Sequence, residues 1–316
     1  MYHYVRELTH SRYPEIKGLN VVDFKGQIEY LEKNYHFITM ERLIESIETG
    51  KKLPDRSVLL SFDDAYTDHF NYVFPILHLK NIQGSFFPPI KAITENKVLD
   101  VNKIHFILAS TSDKNAIIKT IYQLLDQYRK EFELNENDYY YQKLAHPNRF
   151  DTAEVIFIKR LLQTELNETL RNLITNILFE KFVGLNEAAF SRELYMNVDQ
   201  LKCMQKNGMH IGNHGYDHYW LGSLTREKQI SEIDKSLDFL NHINGNTDLW
   251  TMCYPYGNYN QETLEIMAEK KCKLALTTEV NVADLDIHSR FTLPRLDTND
   301  LPKDRNAVTN KWFEEI

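Results

Sequence analysis

The chain has 316 residues, of which 42% are hydrophobic and 26% are charged, and its formal net charge is −8. This composition is typical of a soluble globular protein and excludes a disordered chain. Acidic and basic residues are mixed along the sequence, so the concentrated basic surface that nucleic-acid binding requires is not predicted.

Cysteine usage and the N-terminal sequence bear on the cellular compartment. Cys203, Cys253 and Cys272 form no Cys-x-x-Cys pair, which argues against a disulfide framework or a cysteine zinc site and favours a reducing compartment. The N-terminus lacks the basic start and apolar run of a signal peptide, and no apolar stretch is long enough to span a bilayer. We therefore expect a cytoplasmic protein without an integral membrane segment.

The first hundred residues alternate between helical and extended patterns. Apolar residues recur at helical spacing between residues 24 and 48, and a short apolar run follows at residues 57–62. A helix is predicted at residues 72–80 and a strand at residues 84–87. This order of strand, helix and strand is typical of parallel α/β packing.

Residues 99–192 have a different character. Apolar residues recur there with a helical period, and glycine is almost absent. The stripe consists of Ile117, Ile118, Ile121, Leu124, Leu125 and Tyr128, followed by Ile158, Leu161, Leu162, Leu166, Leu170, Leu173, Ile174 and Ile177. The pattern predicts a helical insertion.

The α/β alternation resumes at residue 208. A helix is predicted around Ile230–Leu240 and another at residues 260–270. Strands are predicted at residues 249–254, 274–277 and 291–296. The insertion therefore interrupts one α/β pattern.

The first candidate site residues are Asp63 and Asp64, which follow the apolar run at residues 57–62. Proteins with α/β folds place their chemistry at the carboxyl ends of strands. Adjacent strand residues point to opposite faces, but a turn after the strand can bring both carboxylates toward one site. The alternative is a pair of helix-capping residues, because aspartate is favoured at helix N-termini.

His214 and His218 are four residues apart, so both imidazoles can bind one metal ion from a helical turn or a tight loop. A carboxylate added to them completes a ligand set suited to zinc or a similar divalent ion. His210 extends the spacing, but Gly208 and Gly212 oppose a regular helix, and His210 is predicted to be a packed strand residue. The alternative is two polar loop histidines.

The third motif is Tyr254-Pro255-Tyr256-Gly257, at the end of a predicted strand. Proline and glycine fix a turn whose backbone N–H groups can face a site. Amide hydrolysis needs a backbone donor directed at a developing oxyanion. Such turns are frequent, so this motif alone is weak.

The order of the three motifs resembles that of the polysaccharide deacetylases of carbohydrate esterase family four. The resemblance covers residues 1–100 and about 195–300, and it includes the sequences Ser57-Val58-Leu59-Leu60 and Gly84-Ser85-Phe86-Phe87. Jointly these motifs are specific, although each is ambiguous alone.

The resemblance implies an α/β fold with a distorted (β/α) barrel of seven strands. Residues 1–98 and 193–316 would form this deacetylase barrel, and residues 99–192 would form a large α-helical insertion. The insertion has no counterpart in the core fold.

The resemblance also implies one divalent metal ion, which we expect to be zinc. Asp64, His214 and His218 would be its ligands, and Asp63 would be the general base. Metal and base would together activate water, and the backbone N–H of Tyr256 would support the oxyanion. Aspartate and histidine also suit cobalt, nickel or manganese, so the metal identity stays open.

Two residues of the family pattern differ in this chain. Many members have an arginine that orients the base where this sequence has Cys253. Arg295 is a candidate for the missing guanidinium, with a surface arginine as the alternative.

The general acid is a histidine near the C-terminus in many members, where His288 is available here. The start of the chain, Tyr2-His3-Tyr4-Val5, instead resembles a permuted branch similar to the poly-N-acetylglucosamine deacetylases, whose acid histidine lies on the first strand. We therefore favour His3 over His288.

The predicted function is metal-dependent removal of an N-acyl group, usually acetyl, from an amino sugar or a glycan precursor in surface polysaccharide biosynthesis. The substrate would be an amino sugar or oligosaccharide, nucleotide-linked or lipid-linked in some cases. The alternatives are a catalytically silent carbohydrate-binding protein and a sugar N-deformylase. Neither the sugar nor the oligomeric state follows from the sequence.

Overall fold

The computed structural model describes residues 1–148, 151–243 and 247–314. Contacts within it divide the chain into two compact units. The first comprises Met1–Glu7, Gly18–Lys97 and Ser191–Ile316, and the second comprises Leu8–Lys17 and Val98–Phe190. The short segment Leu8–Lys17, which the sequence analysis assigned to the barrel, thus groups with the helical unit.

The first unit alternates short strands with helices, so the chain has the predicted α/β fold. Its elements in chain order are β1 Val5–Arg6, β2 Leu19–Asn20, α1 Val21–Asn34, β3 His36–Phe37, α2 Met40–Thr49, β4 Ser57–Val58, β5 Leu60–Asp63, α3 Phe74–Leu79, β6 Gly84–Phe87 and α4 Ile90–Thr94. After the second unit follow α11 Val198–Lys206, β7 His210–Ile211, α12 Arg226–His242, β8 Met252–Cys253, α13 Gln261–Glu269, β9 Ala275–Leu276 and α14 Lys311–Glu314.

The strands that the structure describes pair in parallel. β5, β6 and β7 form a three-stranded sheet, and β1 with β2, β3 with β4, and β8 with β9 form three further pairs. Single parallel bridges extend this order, at Tyr2–Phe62, Asn213–Met252 and Leu276–Leu293. The described strands therefore form four small sheets, without one closed barrel.

The core of the first unit lies around β5 and β6. Phe62 is fully buried and stacks on Phe86 and on Tyr2, with ring centroids 4.8 and 5.0 Å apart. Asn20 caps the N-terminus of α1, because its side chain accepts a hydrogen bond from Val22 N. The helix buries an apolar face against this aromatic cluster. Because neighbouring parallel strands end at the same edge, this core places the ends of β5, β7 and β8 together.

The second unit contains a group of helices, as the apolar stripe predicts. They are α5 Asp100–Ala109, α6 Lys114–Tyr128, α7 Asn137–Leu144, α8 Ala153–Arg160, α9 Glu168–Phe182 and α10 Glu187–Leu194. α5 packs against α9, and Phe106, Phe179 and Phe190 meet edge to face at centroid distances of 4.8 and 5.4 Å. Lys103 is buried and forms an ion pair with Glu187 at 2.9 Å.

Proline explains two departures from the predicted elements. The helix predicted at residues 72–80 starts as a wider turn at His69–Val73 and becomes regular only at Phe74–Leu79, because Pro75 cannot donate to the preceding turn. The strand predicted at residues 291–296 pairs only at Leu293, because Pro294 has no N–H for a ladder.

Candidate metal centre

The turn after β5 brings two adjacent carboxylates to one place. Asp63 ends the strand, and its backbone N–H donates to Tyr2 O at 3.0 Å. Asp64 and Ala65 then take left-handed backbone conformations, with φ of 72° and 56°. In a regular strand, successive side chains point to opposite faces. The left-handed turn changes this direction, so Asp63 and Asp64 face the same site. They are 1% and 4% exposed.

The loop after β7 carries both predicted histidine ligands. The N–H of Asn213 donates to Thr251 O, and its carbonyl accepts from Cys253 N, so the loop leaves the sheet beside β8. Gly215 has φ of 75° and His218 has φ of 57°. These left-handed residues curl the chain tightly enough for both imidazoles to lie on one side, with ring centroids 4.8 Å apart.

Asp64, His214 and His218 converge through one atom each. Asp64 Oδ1 lies 3.4 Å from His214 Nε2 and 3.3 Å from His218 Nε2. All three ligand atoms lie within 4.8 Å of one another, and all three residues are buried. Two ligands about 2.0–2.1 Å from a tetrahedral ion are roughly 3.3–3.4 Å apart. The spacing is therefore the one that a shared ion requires.

The hydrogen bonds around these atoms also fit a metal site. Asp64 Oδ1 is buried and has no hydrogen-bond partner within the described ranges, and the two Nε2 atoms are beyond the ~2.7–3.2 Å of ordinary N–H···O bonds. His214 Nδ1 donates to Cys253 O at 2.6 Å, an arrangement that leaves Nε2 as the lone-pair nitrogen. The donor set of one carboxylate and two imidazoles suits a divalent ion.

Tyr66 is a site residue that the sequence analysis missed. Its hydroxyl donates to Asp64 Oδ2 at 2.6 Å, so the second carboxylate oxygen is fixed while Oδ1 faces the histidines. Burial raises the pKa of Tyr66 well above its ordinary value, and the phenol stays a donor at neutral pH. Its position three residues after Asp63 was visible in the sequence, but its direction depends on the left-handed turn.

Asp63 lies beside the candidate ligands and binds Arg295. The guanidinium donates to Asp63 Oδ1 at 3.0 Å and to Oδ2 at 2.9 Å, and both side chains are buried. Burial alone would raise the pKa of Asp63, but the combined effect of Arg295, His214 and His3 outweighs burial and holds the pKa below its ordinary value. Asp63 is therefore an ionised carboxylate with a fixed orientation.

Cys253 also contacts this carboxylate. Its thiol donates to Asp63 Oδ2 at 3.3 Å. Burial raises the pKa of Cys253, so the thiol keeps its proton. The neutral thiol of Cys253 and the guanidinium of Arg295 therefore both donate hydrogen bonds to the carboxylate of Asp63.

The two candidate acid histidines occupy different places. His3 Nε2 lies 3.9 Å from Asp63 Oδ2, and its side chain is 42% exposed. His288 is half-buried and hydrogen-bonds the backbone of Asp284. The structure brings His3, and not His288, to the carboxylate pair.

Tyr256 borders the centre from the turn after β8. It has φ of 58° within Pro255–Gly257, and its ring meets the edge of His218 at a centroid distance of 4.7 Å. The opposite neighbour is Trp220, stacked at 4.5 Å and 14°. Of the predicted site residues, Asp63, Asp64, His214, His218, His3, Arg295 and Tyr256 are thus assembled in one place.

Sequence comparison finds a similarity to one protein family. The family model described as polysaccharide deacetylase matches residues 175–275, which include both histidines and the Tyr-Pro-Tyr-Gly turn. The resemblance inferred from the order of motifs is thereby confirmed.

A curated relative of this chain is the poly-beta-1,6-N-acetyl-D-glucosamine N-deacetylase of Staphylococcus epidermidis. The two are 28% identical over 208 residues, which are 63% of this chain and 62% of the relative. The chain therefore spans less than two thirds of that protein's length.

Two solved structures of similar fold cover most of this chain. The Streptococcus pyogenes deacetylase PplD, determined with acetate, has a TM-score of 0.57 and 18% identity, covering 94% of this chain and 89% of its own. IcaB from Ammonifex degensii has a TM-score of 0.54 and 17% identity, covering 93% and 89%. At these identities the likeness concerns the fold.

Among the described residues, no helix combines the length and apolar character that crossing a bilayer requires.

Proposed function

We propose that this chain hydrolyses the N-acyl group, usually acetyl, of an amino sugar or glycan precursor in surface polysaccharide biosynthesis. The observation that carries the proposal is the convergence of Asp64, His214 and His218 at 3.3–3.4 Å beside the ionised carboxylate of Asp63. The match to the polysaccharide deacetylase family model and the N-deacetylase activity of the Staphylococcus epidermidis relative support the same chemistry.

Asp64, His214 and His218 would hold the metal ion, and we propose zinc. A bound divalent ion lowers the pKa of a water molecule from 15.7 to about 7 and polarises a carbonyl oxygen. Tyr66 contributes by fixing the carboxylate of Asp64. The carbonyl of Cys253 contributes by fixing the ring of His214.

The remaining site residues divide the proton transfers. Asp63 accepts a proton as the oxygen of water bonds to the acyl carbon, and Arg295 keeps both carboxylate oxygens in place. The backbone N–H of Tyr256 donates to the acyl oxygen. His3 then gives a proton to the sugar nitrogen as the C–N bond breaks, leaving acetate and a free amine. The partial exposure of His3 lets it regain a proton from solvent.

We also propose that the strands are parts of the distorted (β/α)7 barrel. The single bridges join Tyr2 to β5, Asn213 to β8, and β9 to Leu293. The nitrogen of Met1 donates to Leu296 O at 2.8 Å, so the first and last extended segments are neighbours. The insertion at residues 99–192 and a cytoplasmic location stay predictions.

The test is a screen for amine release by the metal-free chain supplied with zinc, cobalt, nickel or manganese. Substrates should be matched pairs of N-acetyl and N-formyl amino sugars, given free, as oligosaccharides, nucleotide-linked and lipid-linked. Release from the N-acetyl substrates in the presence of metal supports the proposal. Faster release from the N-formyl partners would make the chain a deformylase, and saturable sugar binding without release in metal-loaded protein would make it a silent binder.

A further inference from the structure

Glu232 supports the loop between the two histidines from a neighbouring helix. It lies on α12 and is 6% exposed. One carboxylate oxygen, Oε2, accepts hydrogen bonds from Tyr216 N at 3.0 Å and from Asp217 N at 2.8 Å. These two peptides are in the middle of the segment that separates His214 from His218.

The segment needs such a support because its backbone is strained. Gly215 has φ of 75° and His218 has φ of 57°, and for a residue other than glycine such a conformation persists only where neighbours enforce it. A short loop of this kind has no helical or strand hydrogen bonds of its own. The carboxylate of Glu232 replaces them at two successive peptides.

Other groups contact the same segment as the carboxylate of Glu232. Burial raises the pKa of Glu232 above its ordinary value. Lys91 already forms an ion pair with Asp217, and Lys235 lies 4.7 Å from the ring centre of Tyr216. An ion pair and a cation–π contact therefore hold two side chains of the segment. The N–H groups of Ile90 and Lys91 donate to two of its carbonyls, and Glu232 accepts two of its N–H groups.

We propose that Glu232 is a positioning residue that sets the spacing of His214 and His218 for the metal ion. The inference rests on the metal site of the proposed function and adds to it a residue that contacts neither metal nor substrate. Partners of this kind, which fix metal ligands from outside, are worth about 10–100-fold in metal affinity.

The experiment measures zinc binding to metal-free protein by calorimetry, with the unfolding temperature of the same metal-free samples as the second readout. Glu232→Ala removes the acceptor and should weaken the zinc Kd about 10–100-fold. Glu232→Gln removes the charge but keeps one oxygen able to accept both N–H groups, so its Kd should stay within about three-fold of the original. If the alanine variant does not fold, Glu232→Asp, which withdraws the oxygen by one methylene, takes its place.

Gln229→Ala is the matched control. Gln229 is fully buried on the same helix, and it bonds Leu224 O and Thr263 Oγ1 but not the histidine loop. It should lower the unfolding temperature and leave the zinc Kd unchanged. A zinc Kd unchanged in Glu232→Ala, or weakened equally in Gln229→Ala, overturns the inference. Failure of the unaltered chain to bind zinc would overturn the proposed metal site and this inference with it.

Discussion

Asp63 is the side chain on which the proposed proton transfers depend. Its two oxygens are held by Arg295 at 3.0 and 2.9 Å, and the Cys253 thiol donates to one of them. The guanidinium fixes the carboxylate and lowers its pKa, so it orients the base at the expense of basicity. The same residue is therefore expected to matter for both turnover and stability.

Asp63→Asn should bind metal with unchanged stoichiometry and lose roughly 10²–10⁴-fold in turnover, because an amide cannot accept the proton. The unfolding temperature should also fall, because Arg295 is left buried without an opposite charge. Elemental analysis, the amine-release assay and thermal unfolding measure the three effects. Ser61→Ala is the control, since Ser61 also bonds Arg295 but carries no proton-accepting carboxylate. Full turnover in Asp63→Asn would remove the base assignment.

His3 and His288 provide a second test at the level of single residues. His3→Ala should slow amine release by roughly 10²–10⁴-fold with metal content unchanged, because the leaving amine loses its proton donor. His288→Ala should behave like the unaltered chain, because His288 bonds only to the Asp284 backbone in the described contacts. Slow release in the His288 variant with normal release in the His3 variant would reverse the assignment.

The turns at strand ends determine the site at the scale of elements. Asp64, Ala65, His218 and Tyr256 are non-glycine residues with positive φ, and all lie in these turns. Strain of this kind persists where the surrounding structure enforces it, and it clusters at functional sites. The strands themselves are short, so the turns carry most of the functional side chains.

Gly257 shows how tightly one of these turns is enclosed. A Cβ there would overlap Thr278 Oγ1 and lie 2.9 Å from Thr278 N, and φ is +65°. Gly257→Ala should therefore lower the free energy of unfolding by about 1–3 kcal/mol more than conformational strain alone. Gly50→Ala is the matched control: its φ is +71° and nothing lies within 4 Å, so only the left-handed cost of about 1–2 kcal/mol applies. Equal losses in urea unfolding would contradict this account of the turn.

The sequence predicted which helices and strands exist better than it predicted where they begin and end. The apolar runs near β5 and β6 and the helical stripe of the second unit were visible in the sequence, because burial of one face imposes a period. The lengths of the helix predicted at residues 72–80 and of the strand predicted at residues 291–296 could not be predicted. Pro75 and Pro294 shorten them by removing hydrogen bonds to neighbouring turns and strands. The turn that aligns Asp63 with Asp64 was expected as a possibility, while its two left-handed residues follow only from the packed structure.

Stability of the whole molecule should depend on His69. This histidine is fully buried, and its Nε2 donates to His3 O at 2.7 Å. Burial lowers its pKa to about 4 from the ordinary 6.5. The unfolded chain therefore takes up a proton below pH 6.5 that the folded chain takes up only near pH 4. Stability from this residue is present above pH 6.5 and is lost as the pH falls toward 4.

His69→Gln keeps a donor for the His3 carbonyl but cannot titrate. Between pH 7 and pH 5 the unaltered chain should lose about 2 kcal/mol more unfolding free energy than this variant. Urea unfolding of metal-free protein at the two pH values measures the difference. Other groups titrate in both proteins and cancel in the comparison. Parallel losses in both proteins would contradict a neutral buried His69.

The candidate site also shows what one sequence can and cannot supply. Asp64, His214 and His218 were found from motif order, because metal ligands need particular residue types at particular spacings. Tyr66 and Glu232 were missed. No sequence pattern distinguishes a tyrosine after a strand, or a glutamate within a helix, from ordinary core or surface residues. Their contribution depends on which backbone and carboxylate atoms the fold brings within hydrogen-bond distance.

The pairing of Arg295 with Asp63 has a consequence for how such chains are recognised. The guanidinium reaches the carboxylate from 232 positions away in sequence, whereas residue 253 is a cysteine that contacts the same oxygen. A search pattern that demands arginine immediately before Tyr-Pro would reject this chain, although an arginine from another segment pairs with its aspartate. An arginine that is distant in sequence can therefore take the place of one that a motif requires. Searches that use the linear motif alone will miss proteins of this kind.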